Sequence, residues 1–517
     1  MSKPQEKRHN GECEISFLPG EYWYGIRAND GMSMPLSAQS DYEADIDPNT
    51  DCNQCNPLLV STKGRYIWCD TGFSVTCREG RLSVRSRKAP LIEGDGLENL
   101  RQAYGEACRR HFAPAGQMPP EDFFRIPQYN TWIELMYDQN QRDVLAYAQG
   151  ILDSGLPAGI LMIDDGWAEG YGRWEFNRRL FPDPKGMMDH LHALGFKVML
   201  WTCPFISPDS VEFKQLRDRG LLVRDAAGDP ALRPWWNGYS AVLDLSHPEA
   251  AAWYREKNDR LMREYGVDGF KFDAGDGSFY RDDDQTYGHV SAAEQTELWA
   301  QLGAAYPYNE FRACFKAAGL PLVQRLADKY HQWESNGVKT LIPNELLQGL
   351  LGYAYTCPDM IGGGDYLSFL NESTSLDEEL FVRYAQCAAL MPMMQFSAAP
   401  WRVLSEENAR LCVEAALLHI RMSDRIISLA RHAAETGEPI VRYMEYQFPG
   451  QGLEAITDQF MLGEDLLVAP VLQKGARTRT VRLPQGHWRY VDGTAYAGGT
   501  VTVPAPLECL PYFERID

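Results

Sequence analysis

Several short apolar runs in this 517-residue chain end in carboxylates. "GILMIDDGW" closes on Asp164 and Asp165, and "DGFKFDAGD" closes on Asp273 with Lys271 two positions before it; Asp328 and Asp359 follow further along. Lys271 and Asp273 share strand parity, so their side chains leave one face while Phe270 and Phe272 leave the other. A lysine beside a carboxylate keeps it ionised, which is the state a carboxylate nucleophile requires. Two carboxylates whose proton affinities are pushed apart suit cleavage of a glycosidic bond. One protonates the leaving oxygen and the other meets the oxocarbenium-like carbon. The same residue types serve other chemistry: enolase-like barrels also set Lys and Asp at strand ends, around Mg²⁺. A lone Asp at a strand end more often caps the next turn than catalyses. Trp167, Trp201 and the adjacent Trp235 and Trp236 read either as platforms for sugar rings or as packed core.

The elements that would position these groups follow from the pattern. From about residue 121 to 430, short apolar runs alternate with amphipathic helical stretches, and polar residues gather at the C-terminal ends of the runs. That alternation predicts a parallel (β/α) architecture. About 310 residues suits a (β/α)₈ TIM barrel with insertions, whose site lies at the C-terminal ends of its strands. A doubly wound sheet fits the alternation too, but neither G-x-G-x-x-G nor G-x-x-x-x-G-K-[ST] is present to bind a nucleotide. Residues 1–120 hold short β-rich runs between Gly turns, then a helical stretch and the boundary "APAGQMPPED"; this predicts an N-terminal β-sandwich with a linking helix. Residues 431–517 return to alternating runs with Gly turns and predict one or two C-terminal β-sandwiches. The fold class expected is therefore α/β, a barrel between two β domains.

Composition narrows the partners. Net charge is −21 and no Lys/Arg-rich run occurs, so nucleic acid and anionic membrane are poor partners. No run of about 18 apolar residues predicts a membrane span, and "MSKPQEKRHNGECEIS" lacks the apolar core of a secretory signal. The 12 cysteines are scattered, with "CNQCN" as the one C-x-x-C and no second pair at zinc-finger spacing. Reduced cysteines in a cytoplasmic protein are expected. No motif calls for a metal or cofactor.

Longer stretches carry a resemblance. "RIPQYNTWIEL", "LGFKVMLWTCPFISPDS", "GEPIVRYMEYQFP" and "DQFMLGEDLLVAPVLQKGARTRTVRLPQGHW" are similar to segments of glycoside hydrolase family 31, the retaining α-glycosidases, and the likeness runs over nearly the whole chain. The resemblance implies Asp273 as nucleophile. It implies Asp328, five residues before Trp333 and ahead of "VKTLIP", as acid/base, with Glu334 as the alternative because the gap from Trp333 to Lys339 is long. Asp164, Asp165, Trp201, Trp236, Lys271, Arg325, Asp359 and Trp401 are the implied sugar-binding residues, with no metal. The chain departs from the α-glucosidase pattern at "DAGD" (273–276), "PDMIGG" and "MQFSAAPW". These departures resemble the branch with α-galactosidases and imply an α-D-galactoside. An α-glucosidase, another α-glycosidase acting on a xyloside or sulfonated sugar, and a non-catalytic carbohydrate-binding protein are the alternatives. A homo-oligomer is a further expectation from the family.

Overall fold

The computed structural model describes residues 5–47, 53–370 and 376–517. The apolar runs with polar ends form eight parallel strands: β1 (Gln128–Asn130), β2 (Ile160–Ile163), β3 (Lys197–Thr202), β4 (Gly269–Phe272), β5 (Tyr308–Phe311), β6 (Gln324–Arg325), β7 (Thr356–Cys357) and β8 (Gln395–Phe396). Their order in the sheet is β7-β6-β5-β4-β3-β2-β1-β8. The ring closes through a parallel bridge between Met360, just past β7, and Gln395 of β8. This is the expected barrel.

Register decides what faces inward. Trp201 pairs with Lys271, and Lys271 with Glu310, so these three polar or amphipathic side chains form one interior layer. The alternate residues face the helices. Phe272 stacks on Phe311 at 4.9 Å and meets Trp299 of the helix Ala292–Gly303 edge-on at 5.3 Å. Burying such rings stabilises by roughly 1.5–3 kcal/mol each, enough to hold β4 in register with Lys271 on the inside. The helices start and stop on local signals: Asn140 caps Gln141–Asp153 by accepting from the Asp143 N–H, and left-handed Gly266 ends Pro248–Tyr265.

The alternation breaks once. No helix lies between β5 and β6; instead Cys314–Phe315 pairs in parallel with Gln54 and Cys55 of the N-terminal region. The N-terminal strands form two sheets. One joins Gln5–His9, Leu91–Asp95, Tyr66–Cys69, Gln54–Ser61 and Trp23–Arg27; the other joins Glu12–Ser16, Arg81–Arg85, Ser74–Arg78 and Tyr42–Asp45. The C-terminal strands form one six-stranded antiparallel sheet, dominated by the long hairpin Thr478–Tyr490 and Ala495–Pro504. It is fastened to the helix Glu378–Ala389 by the buried Arg383, which donates to the carbonyls of Cys509 and Ala505 at 3.0 and 2.8 Å.

No disulfide joins two of the described cysteines; Cys52, the first of the C-x-x-C pair, lies outside the described residues. Among the described residues no helix is long and apolar enough to cross a membrane.

Candidate active site

Asp273 follows β4 directly, at the mouth of the barrel. Its Oδ1 accepts from Arg312 Nε at 2.9 Å and from the Ala274 N–H at 2.8 Å, and its Oδ2 accepts from Trp201 Nε1 at 2.9 Å. The chain then turns sharply, with Ala274 at φ 55° and Gly275 at φ 73°. A Cβ on Gly275 would lie 2.3 Å from the Trp299 ring, so glycine there lets the turn close against the core. Burial alone would raise the Asp273 carboxyl. Arg312, then Lys271, the Trp201 hydrogen bond and Arg325 outweigh it and hold the group well below the usual carboxylate range.

Arg312 also grips Asp276 at 2.9 Å and lies over the Trp236 ring at 5.4 Å. Asp276 is itself pushed up to about 6, by burial first and the charge of Asp273 next, against Arg312. Lys271 Nζ donates to Asp164 Oδ2 at 2.6 Å inside the barrel. Asp165 accepts from Asn237 Nδ2 at 2.7 Å and Tyr171 OH at 3.1 Å, and is raised to about 7 by burial and by Asp164. Arg325 is nearly fully buried. It donates to Asp328 Oδ1 at 2.9 Å and to Asp359, and lies 3.4 Å from Glu310.

These residues wall a cavity of about 240 Å³ lined by Trp132, Tyr137, Asp164, Asp165, Trp201, Trp236, Lys271, Asp273, Arg312, Arg325, Asp328, Asp365 and Tyr366. The volume suits a single small polar unit; drug-sized ligands occupy roughly 300–1,000 Å³. Asp328, Arg312 and Asp365 are shared with a wider cleft of about 820 Å³, which is also lined by Asn29, Met32, Tyr330, Glu334 and Lys339. Asp328 thus stands where the small cavity meets the wide one.

Eight of the residues expected at the site line the small cavity: Asp164, Asp165, Trp201, Trp236, Lys271, Asp273, Arg325 and Asp328. Asp359 does not. It is fully buried beneath Arg325, and its Oδ2 accepts from the N–H groups of Lys329 at 2.7 Å and Gly364 at 2.9 Å. It therefore holds Arg325 and the loop carrying Asp328, rather than facing the cavity. Trp401 is displaced outright. After β8 the chain turns outward, and Trp401, on the short helix Pro400–Val403, stacks on Tyr147 at 5.8 Å against the helix Gln141–Asp153. Glu334 lines only the wide cleft, 71% exposed and bridged to Lys339 at 2.6 Å. Trp167 is core: buried, with its Nε1 donating to the Trp201 carbonyl at 2.8 Å.

Sequence reasoning missed Arg312, although it shares inward parity with Glu310 just past β5, a signal that was readable. Trp132 and Tyr366 open the one-turn helices Trp132–Leu135 and Tyr366–Phe369, with Tyr137 and Asp365 in the adjoining loops, and segments this short carry no periodicity to mark them.

Comparison with known proteins fits this geometry. Residues 117–428 match the TIM-barrel domain of the glycosyl hydrolases of family 31, and residues 437–517 match that family's C-terminal domain. The chain is 35% identical over 419 residues to the mouse (Mus musculus) myogenesis-regulating glycosidase, covering 78% of this chain and 58% of that protein. It is 28% identical over 385 residues to the 1,3-alpha-isomaltosidase of Kribbella flavida, covering 65% of this chain and 50% of that one. The chain thus spans about half the length of these relatives. Its fold superposes on a Flavobacterium johnsoniae dextranase of the same family with a TM-score of 0.84 at 21% identity, over 99% of this chain and 67% of the dextranase. The barrel, the sheet that follows it and the matched residues together place this chain in glycosyl hydrolase family 31.

Proposed function

We propose that this protein is a retaining α-glycosidase that removes one terminal neutral sugar, an α-D-galactosyl unit, from a larger glycoside. The observation that carries this reading is Asp273, kept ionised by Arg312 and Trp201 at the wall of a one-sugar cavity, with Asp328 where that cavity opens to the wider cleft. Asp273 attacks the anomeric carbon as Asp328 gives its proton to the glycosidic oxygen. The leaving group departs toward the wide cleft, and a glycosyl ester forms on Asp273. Asp328 then takes a proton from water, whose oxygen attacks the anomeric carbon; the ester breaks and Asp273 is restored. Two inversions leave the product in the α configuration.

Charge supports a neutral sugar. Each cation on the cavity wall already has a carboxylate partner: Lys271 with Asp164, Arg312 with Asp273 and Asp276, Arg325 with Asp328 and Asp359. A sulfonated sugar would have to compete with these pairs. Galactose is favoured over glucose by the departures at 273–276, at "PDMIGG" and at "MQFSAAPW".

A panel of p-nitrophenyl α-glycosides tests the reading, with proton NMR of the first-formed anomer. Fastest release from the α-galactoside, with α-galactose appearing first, is expected. Asp273→Ala should lose at least about 10⁴-fold in kcat, and azide should restore turnover of that variant as the β-galactosyl azide. Faster cleavage of the glucoside or xyloside overturns the sugar assignment, and a β first product overturns the mechanism. Galactose binding without cleavage of any α-glycoside points to a carbohydrate-binding protein on this fold.

A further inference from the structure

Outside the barrel, one corner of the N-terminal sheets gathers three metal-binding side chains of different kinds. His9 ends the strand Gln5–His9, Cys13 lies in Glu12–Ser16, and Glu93 is central in Leu91–Asp95. Antiparallel pairing sets His9 opposite Leu91 and Lys7 opposite Glu93, so His9 and Glu93 are diagonal neighbours on one face. Their Nε2 and Oε2 atoms lie 2.9 Å apart. Cys13 comes from the other sheet, where its strand buries Cys13 and Ile15 and exposes the residues between.

One ligand atom from each of the three lies within 4.8 Å of the other two, and among the described residues this is the one such group of three or more. Tetrahedral zinc with these ligand types separates its ligand atoms by roughly 3.3–3.8 Å. Small side-chain rotations therefore reach bonding geometry without moving the strands. The cations nearby are already matched: Lys7 bonds Asp95 at 3.1 Å and Arg65 bonds Glu21. Thiolate, imidazole and carboxylate together suit Zn²⁺, whereas Mg²⁺ and Ca²⁺ prefer all-oxygen sets. The His9 side chain is 29% exposed, which leaves an entry path and room for water as a fourth ligand.

We propose that His9, Cys13 and Glu93 form a structural Zn²⁺ site that staples the two N-terminal sheets together where the chain crosses from Gln5–His9 in one to Glu12–Ser16 in the other. The inference stands apart from the glycosidase reading, since the ligands come from neither the barrel nor its cavity.

The full chain, stripped with EDTA, would be titrated with Co²⁺ as the probe. One equivalent should produce a near-ultraviolet thiolate-to-cobalt absorption that Zn²⁺ abolishes, and Zn²⁺ should raise Tm. Cys13→Ser should lose that absorption and bind Zn²⁺ about 100-fold more weakly or worse, with unchanged far-ultraviolet dichroism. Should Cys13→Ser fail to fold, His9→Gln carries the test: it keeps the thiolate absorption but weakens Zn²⁺ binding and reduces the Tm rise. Absence of the absorption in the parent protein, its persistence in Cys13→Ser, or an equal Zn²⁺-dependent Tm rise in His9→Gln overturns the proposal.

Discussion

Arg312 holds two carboxylates with one guanidinium, and its two partners are driven in opposite directions. Asp273 is held low while Asp276 is raised to about 6, because Asp273 also draws on Lys271, Trp201 and Arg325. Removing the guanidinium takes the largest stabilising charge from Asp273 and the cation partner from Asp276. Arg312→Met should lower kcat/KM by about 10²–10³-fold, the scale of a lost preorganised electrostatic group. The Asp273 carboxyl should rise, so the acid limb of kcat/KM against pH moves to higher pH. A rate loss with an unmoved acid limb would mean that Arg312 acts on the sugar and not through Asp273.

At the scale of the element, the helix Val338–Leu350 is buried at every position but Lys339 and carries Glu345. Thr356 on β7 donates to one oxygen of Glu345, while the other has no hydrogen-bond partner in the described structure. Burial pushes this carboxyl up to about 8, against the Thr356 hydroxyl and the charge of Lys329. In the unfolded chain it ionises near 4.3. Below that pH both states hold the proton and burial carries no charge penalty. As pH rises toward 8 only the unfolded state gives the proton up, so stability falls through this window. Glu345→Gln keeps an acceptor for Thr356 and should flatten the fall, gaining a few kcal/mol relative to the parent near pH 8. Urea denaturation from about pH 5 to about pH 8 measures it; parallel slopes in parent and variant would speak against a neutral buried Glu345.

For the whole molecule, the missing helix between β5 and β6 matters most. The N-terminal sheet fills that gap, and Gln54 fastens it: its Nε2 donates to the carbonyls of Arg312 and Arg325 at 2.7 and 2.9 Å, and its Oε1 accepts from Gln348 at 2.7 Å. Two arginines of the site thus rest on a side chain from another part of the chain. Gln54→Leu should strand these buried polar groups at about 1–3 kcal/mol each, read as a lower urea midpoint. It should also lower kcat more than it raises KM, because the arginines act on the carboxylates that perform the chemistry. An unchanged kcat in a destabilised variant would confine Gln54 to docking.

Much of this was legible in the chain. Strand parity put Lys271 and Asp273 on one face, and apolar runs ending in carboxylates marked the open end of the barrel, because a period of two and a helical period leave traces in local sequence. The residues at 397–401 show where such reading stops: a tryptophan near a strand end is equally compatible with cavity and outer helix, and only the outward turn after β8 placed Trp401 against Tyr147. Asp359 was legible as a polar residue near a strand end, but its role beneath Arg325 depends on hydrogen bonds from Lys329 and Gly364 across 30 and 5 positions. The sequence alone determined the parallel barrel, its flanking β regions and the residues that could do chemistry, since these rest on local period and residue type. Tertiary structure alone decided which carboxylate is held ionised, which tryptophan sees the cavity and what covers the gap after β5, because electrostatics and burial depend on distances between residues far apart in the chain.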